Sequence, residues 1–176
     1  MTRDIWPVGE AEVTVSGAFT THHRFWTETG TLGEMTLPAV RRCGVFDGAD
    51  GRELAVCRAS WWGRSHEMRE GGAELGTARS QGFWRRAMDV RYGNRAYVLQ
   101  PTGFWTQSWH LVDALDHELL EIRPRGVFRR GAYMTALAAI DAGLFVFAYY
   151  LVWMRWQEQS AAASTSASTA AIATAG

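Results

Sequence analysis

Residues Gly131 to Met154 read GAYMTALAAIDAGLFVFAYYLVWM, an apolar run whose one formal charge is Asp141. As an α-helix rising about 1.5 Å per residue it would be about 36 Å long, enough to cross a bilayer. A helix wrapped on all sides by its own protein would read the same, because hydrophobicity around the whole circumference marks either surrounding. The rest of the chain must therefore supply a sheath or leave the run to lipid. Asp141 favours a sheath. A carboxylate inside a lipid span costs about 3 kcal/mol, whereas near the mouth of a protein shell it can accept hydrogen bonds from arginine or backbone amides. Small residues (Ala136, Ala138, Ala139, Ala142, Gly143 and Ala148) would let surrounding strands approach closely.

The preceding sequence supplies the strands. Turn-forming clusters recur before Leu32, Leu54, Leu75, Tyr97 and Leu119, at intervals of 22, 21, 22 and 22 residues. Each places Gly, Asp or Asn where a turn uses backbone tolerance or a side-chain hydrogen bond. A second series runs out of phase with the first: Gly82-Phe83-Trp84, Gly103-Phe104-Trp105 and Gly126-Val127-Phe128, with Gly44-Val45-Phe46 and Trp61-Trp62 earlier. Two marks per period mean two strands per period. Alternation in Val13-Thr14-Val15 and in Ala96-Tyr97-Val98-Leu99-Gln100 supports half-buried strands. About ten strands follow between Ala11 and Arg130, twelve with irregular ends. A sheet of that size closes to remove its edges. A closed barrel of that many strands is too wide for its own side chains to fill, and the apolar helix downstream is the natural filling.

The expected fold is therefore mainly β: a closed antiparallel barrel of about 10–12 strands enclosing one hydrophobic C-terminal helix. The expected organisation is a lead-in over 1–10, a barrel over 11–156 and a disordered Ala/Ser/Thr tail over 157–176. The central helix falls at about 132–156, with Leu137, Ile140, Asp141, Leu144, Phe147 and Leu151 as its core-facing residues. At 176 residues the chain is one domain by size. Acidic and basic residues balance at 18 each, so no global field recruits nucleic acid. Every basic residue is arginine, which reads as the coding bias of a GC-rich genome. Cys43 and Cys57 lack the C-x-x-C spacing of redox or zinc sites and read as ordinary reduced thiols. No apolar h-region follows a charged start, so the bulk is expected in the cytoplasm, peripheral to membrane if it touches one.

Hairpins of this form resemble the tubby C-terminal-like superfamily, whose relatives include LURP-one-related proteins and phospholipid scramblases. The resemblance rests on Trp61-Trp62 through Ala73-Glu74-Leu75-Gly76-Thr77, then on Gly103-Phe104-Trp105 through His117-Glu118-Leu119-Leu120-Glu121-Ile122. The closing piece is Ala136-Leu137-Ala138-Ala139-Ile140-Asp141-Ala142. It covers about residues 10–156 and is one of pattern, with no short diagnostic motif. It implies a barrel of about twelve strands around a central C-terminal helix. Activities ascribed to such proteins, phosphoinositide binding and calcium-linked lipid activity, do not carry over: there is no lysine for the first and no matching acidic cluster beside the helix for the second.

The chemistry of the chain points away from catalysis. Ser108, His110 and Asp113 are close in sequence but belong to a strand and a turn, and no G-x-S-x-G elbow holds a nucleophile. His22 and His23 point to opposite faces of a strand, and no metal-binding spacing occurs among the histidines. Asp47-Gly48-Ala49-Asp50-Gly51 lacks the distal ligands of a calcium loop and reads as a hairpin turn. No cofactor, metal or catalytic residue is expected. What remains is a repeated pairing of aromatics with arginines: Trp84 with Arg85 and Arg86, Phe128 with Arg129 and Arg130. Rings at headgroup level with guanidinium groups on phosphate suit an anionic lipid surface. The expected function is a non-catalytic binding module for anionic membrane lipid or a protein partner. The alternative is a single-pass membrane protein anchored by residues 131–154, with Trp153, Arg155 and Trp156 as its interfacial belt.

Overall fold

A computed structural model describes residues 5–39, 43–59, 65–81, 86–103, 107–126 and 130–173. Among the described residues fourteen strands and one helix follow in chain order. Strand β1 (Ile5–Trp6) is short; β2 (Gly9–Ser16), β3 (Thr20–Thr27), β4 (Gly30–Pro38) and β5 (Cys43–Gly48) come next. Then run β6 (Glu53–Arg58), β7 (Ser65–Glu70), β8 (Ala73–Ser80) and β9 (Met88–Tyr92). The series continues with β10 (Arg95–Pro101), β11 (Trp109–Asp113), β12 (Glu118–Pro124), β13 (Gly131–Ala136) and β14 (Ile140–Asp141), before α1 (Ala142–Ala173). Strands β2 to β13 form a closed antiparallel barrel of twelve, each paired with its chain neighbours and β13 closing on β2.

The barrel closes because each strand alternates. In β9, Met88, Val90 and Tyr92 point inward and are buried, while Asp89 and Arg91 point out. Ala11, Val13, Phe25, Met35, Leu99, Leu111, Leu120 and Ile122 face the same interior, which α1 fills. From Leu144 to Trp153 every helix residue is buried, on all sides. Phe25 meets Tyr149 edge to face at 5.1 Å, and Trp6 stacks on Phe145 at 5.0 Å where the helix begins. Gly76 is part of this fit. A Cβ there would lie 2.9 Å from the Tyr92 ring and 3.4 Å from Phe147.

The 22-residue ladder has a structural cause. Leu32, Leu75 and Leu119 are each the extra residue of a bulge, opposite the Phe25/Trp26, Met68/Arg69 and Leu111/Val112 steps. Each then accepts a backbone bond from the next turn: Ala49 N to Leu32 O at 2.8 Å, Gly93 N to Leu75 O at 2.8 Å, Leu137 N to Leu119 O at 2.9 Å. Ala49, Gly93 and Leu137 stand 44 residues apart, so the barrel repeats a four-strand unit, two periods of the ladder.

Several expectations change. Gly131–Ala136 is not helix but the twelfth barrel strand, registered against both Leu120–Pro124 and Gly9–Thr14. Its inward residues, Ala132, Met134 and Ala136, leave Tyr133 outside and 43% exposed, which disguises the alternation. The central helix starts at Ala142, so Leu137 is an exposed turn residue, and Ile140 and Asp141 belong to β14, paired with Trp6 and Ile5. The lead-in over 1–10 accordingly holds β1 and the start of β2. At the other end α1 continues to Ala173, where a disordered tail is expected; alanine, the best helix former, dominates that stretch. Cys43 and Cys57 are joined in a disulfide, because the β5–β6 hairpin sets them directly opposite with Cα atoms 4.1 Å apart. A single-pass anchor over 131–154 is incompatible with this architecture, since its first quarter is a barrel strand and Leu144 to Trp153 are sheathed by the other strands. Among the described residues no helix is long and apolar enough to cross a membrane.

Candidate functional site at the helix exit

An up-and-down barrel sorts its connections by end. The tight turns at 28–29, 49–52, 71–72, 93–94 and 114–117 gather at the mouth where α1 begins. Those at 17–19, 39–42, 59–64, 81–87, 102–108 and 125–130 leave from the mouth where it exits. The two sets differ in composition. The first set carries Glu28, Asp50 and Asp116 against one arginine, Arg52, and no aromatic residue. The second set contains no Asp or Glu, and holds the pairs Arg41-Arg42, Arg85-Arg86 and Arg129-Arg130 together with Trp61-Trp62, Phe83-Trp84 and Phe104-Trp105.

The entry mouth is sealed by satisfied charges. Asp141 caps α1, accepting from Gly143 N at 2.8 Å and from the Tyr92 hydroxyl at 2.7 Å. Arg52 lies 3.8 Å from the same carboxylate oxygen and 2.5 Å from Glu70. Burial opposes the Arg52 charge, but its bond to Glu70 and the nearby acidic groups hold its pKa above the ordinary range. Burial first, then Asp141, raise Tyr92 so that it stays a donor.

Two buried histidines grip the helix near its exit. His23 Nδ1 lies 2.7 Å from the Tyr149 hydroxyl and its Nε2 2.8 Å from Thr21 Oγ1. His66 Nδ1 lies 3.3 Å from the Tyr150 hydroxyl. Burial, followed by Arg130 and His22, lowers the His23 pKa to about 3. Burial, followed by Arg58 and Arg155, lowers that of His66 to about 4. Both are neutral at physiological pH, as a closed apolar interior requires.

Above them the mouth opens. Arg58 reaches Glu158 at 3.4 Å, and Arg155 holds the same carboxylate at 3.0 Å while also donating to Ser80 Oγ. Arg125 pairs with Glu12, and Arg130 donates to Gly17 O at 3.1 Å. Trp156 Nε1 donates to Gln107 O at 3.0 Å as the helix leaves. Two cavities flank the exit. One of about 550 Å³ is lined by Phe19, Leu37, Arg58, Tyr150, Trp153 and Met154 among others. Another of about 560 Å³ lies between Gln107, Pro124, Trp156 and Gln159; Arg130, Trp153 and Gln157 border both.

Of the aromatic–arginine candidates, Arg86 and Arg130 are described, exposed and at this mouth. Trp84, Arg85, Phe128 and Arg129 lie outside the described residues. Their chain neighbours are pinned to the rim by Gln81 N to Ala87 O at 3.1 Å and Arg125 N to Gly131 O at 3.1 Å. Leu144, Phe147 and Leu151 are buried in the core. Reading the sequence missed Arg58, Phe19, His23 and His66. The signal for the histidines was available, since both occupy inward positions of alternating strands. The remaining groups do not converge. His110 bonds Glu118 at 3.0 Å on the outer surface, and Asp113 accepts from Leu115 N, His117 N and the His117 ring within its own turn. Asp50 Oδ1 accepts from Arg52 N in the same way. Among the described residues no group of three His, Cys, Asp or Glu is placed to hold a metal ion.

Neither protein-family profiles nor curated proteins match the sequence. At the level of structure the chain is similar to an Arabidopsis thaliana protein, AT5G01750, solved by X-ray crystallography. The TM-score is 0.55 at 12% sequence identity, with 80% of this chain and 91% of that one covered. The fold thus resembles a LURP-one-related, tubby-like barrel.

Proposed function

We propose that the protein is a non-catalytic binding module that docks on anionic membrane surfaces through its helix-exit mouth. One observation carries the reading: arginine pairs and aromatic pairs sit in connections from this mouth, Asp and Glu are absent from those connections, and acidic residues predominate in the turns at the opposite one. Arginines near an anionic leaflet contribute about 1 kcal/mol each, and aromatic rings favour the headgroup layer. The opposite, acidic mouth is repelled, so the barrel approaches in one orientation. The orientation supplies the selectivity.

Flotation with neutral phosphatidylcholine vesicles and with vesicles containing phosphatidylserine tests it. Binding should be confined to the anionic vesicles and weaken with salt. Replacing Arg85, Arg86, Arg129 and Arg130 by alanine should reduce it more than a hundredfold, at about fivefold per arginine. Equal recovery with both vesicle types, or full binding by the fourfold variant, rejects the reading. A protein partner is the second reading, favoured by Trp26 and Tyr133. These rings, 40% and 43% exposed, flank Glu12 across three adjacent strands on the outer wall. Trp26→Ala with Tyr133→Ala would then abolish the partner and leave vesicle binding intact.

A further inference from the structure

The 550 Å³ cavity beside the exiting helix is more than a gap in the rim. Its volume lies within the usual range for small-molecule sites. Its walls come from the β2–β3 turn (Ala18, Phe19), the end of β4 (Leu37, Pro38), the disulfide-bonded start of β5 (Cys43, Gly44) and one side of α1. Leu37, Tyr150, Trp153 and Met154 make the interior apolar, and Phe19 stands at the lip, 86% exposed. Among the described residues the charged side chains of the lining are Arg58, whose outer face meets Glu158 at 3.4 Å, and Arg130, with no carboxylate in the lining itself. Arg130 also borders the neighbouring cavity, whose lining is richer in amide and hydroxyl groups (Gln107, Gln157, Gln159, Ser160).

We infer that this cavity binds a single acyl chain carrying an anionic head group, the chain lying against Leu37, Trp153 and Met154 and the head on Arg130 and Arg58. The choice of an anionic head rests on the membrane reading above; the apolar depth of the site goes beyond it, from a surface contact to an occupied pocket. Charge complementarity selects the head, since guanidinium groups bind carboxylate and phosphate through paired donors. After its bond to Gly17 O, a guanidinium with five N–H donors still has some to offer. Apolar burial selects the chain, each methylene removed from water raising affinity about fourfold.

Calorimetric titration of the full chain with alkanoates of increasing length and with decyl phosphate, all kept below micelle formation, tests the inference. One equivalent should bind. Affinity should climb about fourfold per methylene until the cavity is full, and the alcohol of equal length should bind at least tenfold more weakly. Ala18→Trp, in an exposed turn, should fill the entrance and abolish uptake without lowering Tm. Arg58→Ala with Arg130→Ala should weaken the acids and spare the alcohol. Absence of saturable binding, indifference to chain length, or uptake unchanged in Ala18→Trp overturns it. So does inorganic phosphate matching decyl phosphate, which would leave an anion contact only. Vesicle docking with no uptake of monomeric amphiphile overturns the pocket while the docking reading stands; uptake without docking supports the pocket and removes the docking.

Discussion

Lowering the pH from 7.5 to 5 is expected to loosen the barrel's hold on its helix, because His23 and His66 are neutral when folded and protonate freely when not. Their folded pKa values are lowered to about 3 and about 4 from an ordinary 6.5. The unfolded chain therefore binds more protons throughout that window, and stability must fall as pH falls. It is fully present above 6.5 and is lost progressively until the folded histidines themselves protonate. At pH 5, one and a half units below the unfolded value, the loss is about 2 kcal/mol per histidine, or about 4 kcal/mol in all. That is a large share of the roughly 5–15 kcal/mol of a typical domain. The groups facing His23 are Tyr149, Thr21, Arg130 and His22; those facing His66 are Tyr150, Arg58 and Arg155. None is a carboxylate that would rescue the imidazolium. Urea unfolding followed by tryptophan fluorescence at pH 7.5, 6 and 5 measures the effect. His23→Gln with His66→Gln should be weaker at pH 7.5 yet nearly flat to pH 5. An unchanged wild-type midpoint between pH 7.5 and 5, or the same slope in the double variant, refutes the reasoning.

Deleting α1 from Ala142 onward removes nine large buried side chains between Leu144 and Trp153, worth about 15–25 kcal/mol together. More than the whole stability is lost, so the remaining strands should aggregate, which size-exclusion chromatography would reveal. Gly131→Ala forces a side chain onto a backbone with φ +139° and sets its Cβ 2.0 Å from Val13 O, at the strand pair that closes the barrel. It should cost at least about 3 kcal/mol, near 10 °C in Tm by calorimetry. Intact mass without reductant should fall about 2 Da below the fully reduced chain, and Cys43→Ala with Cys57→Ala should lower stability by about 3 kcal/mol for a loop of this length.

The sequence carried the barrel because turn chemistry is local. Asp50 bonding Arg52 N within its own turn and the glycines at positive φ in the 71–72 and 93–94 turns need no tertiary partner, so the ladder could be counted. The helix boundary was obscured by an environment effect. Inside a filled barrel the inward residues of β13 are as apolar as the helix itself, and Tyr133 on the outer face leaves Thr135 as the one polar side chain of the strand. Asp141 was the local signal that would have found the boundary, an N-cap immediately before the apolar stretch. The disulfide was illegible for another reason. Its cysteines stand 14 positions apart, and only the register of one hairpin brings them opposite. The cavity at the exit draws on segments spread from Ala18 to Gln157, and no spacing rule reaches it.

A periodic chain acquires a directional surface through the geometry of the meander alone. Successive connections alternate between the two ends, and antiparallel closure sends every second one to the same mouth. Residues that alternate every dozen positions in sequence are thereby separated by the length of the barrel. The net charge is zero, yet the two sets of connections differ in the sign of their charged residues. The helix reinforces the difference: its start is sealed by Asp141, Tyr92, Arg52 and Glu70, whereas its exit leaves Trp156 and Gln157 beside open cavities. Substitutions within the strands should therefore act on folding, and substitutions in the connections of the exit mouth on binding, with little overlap between the two classes.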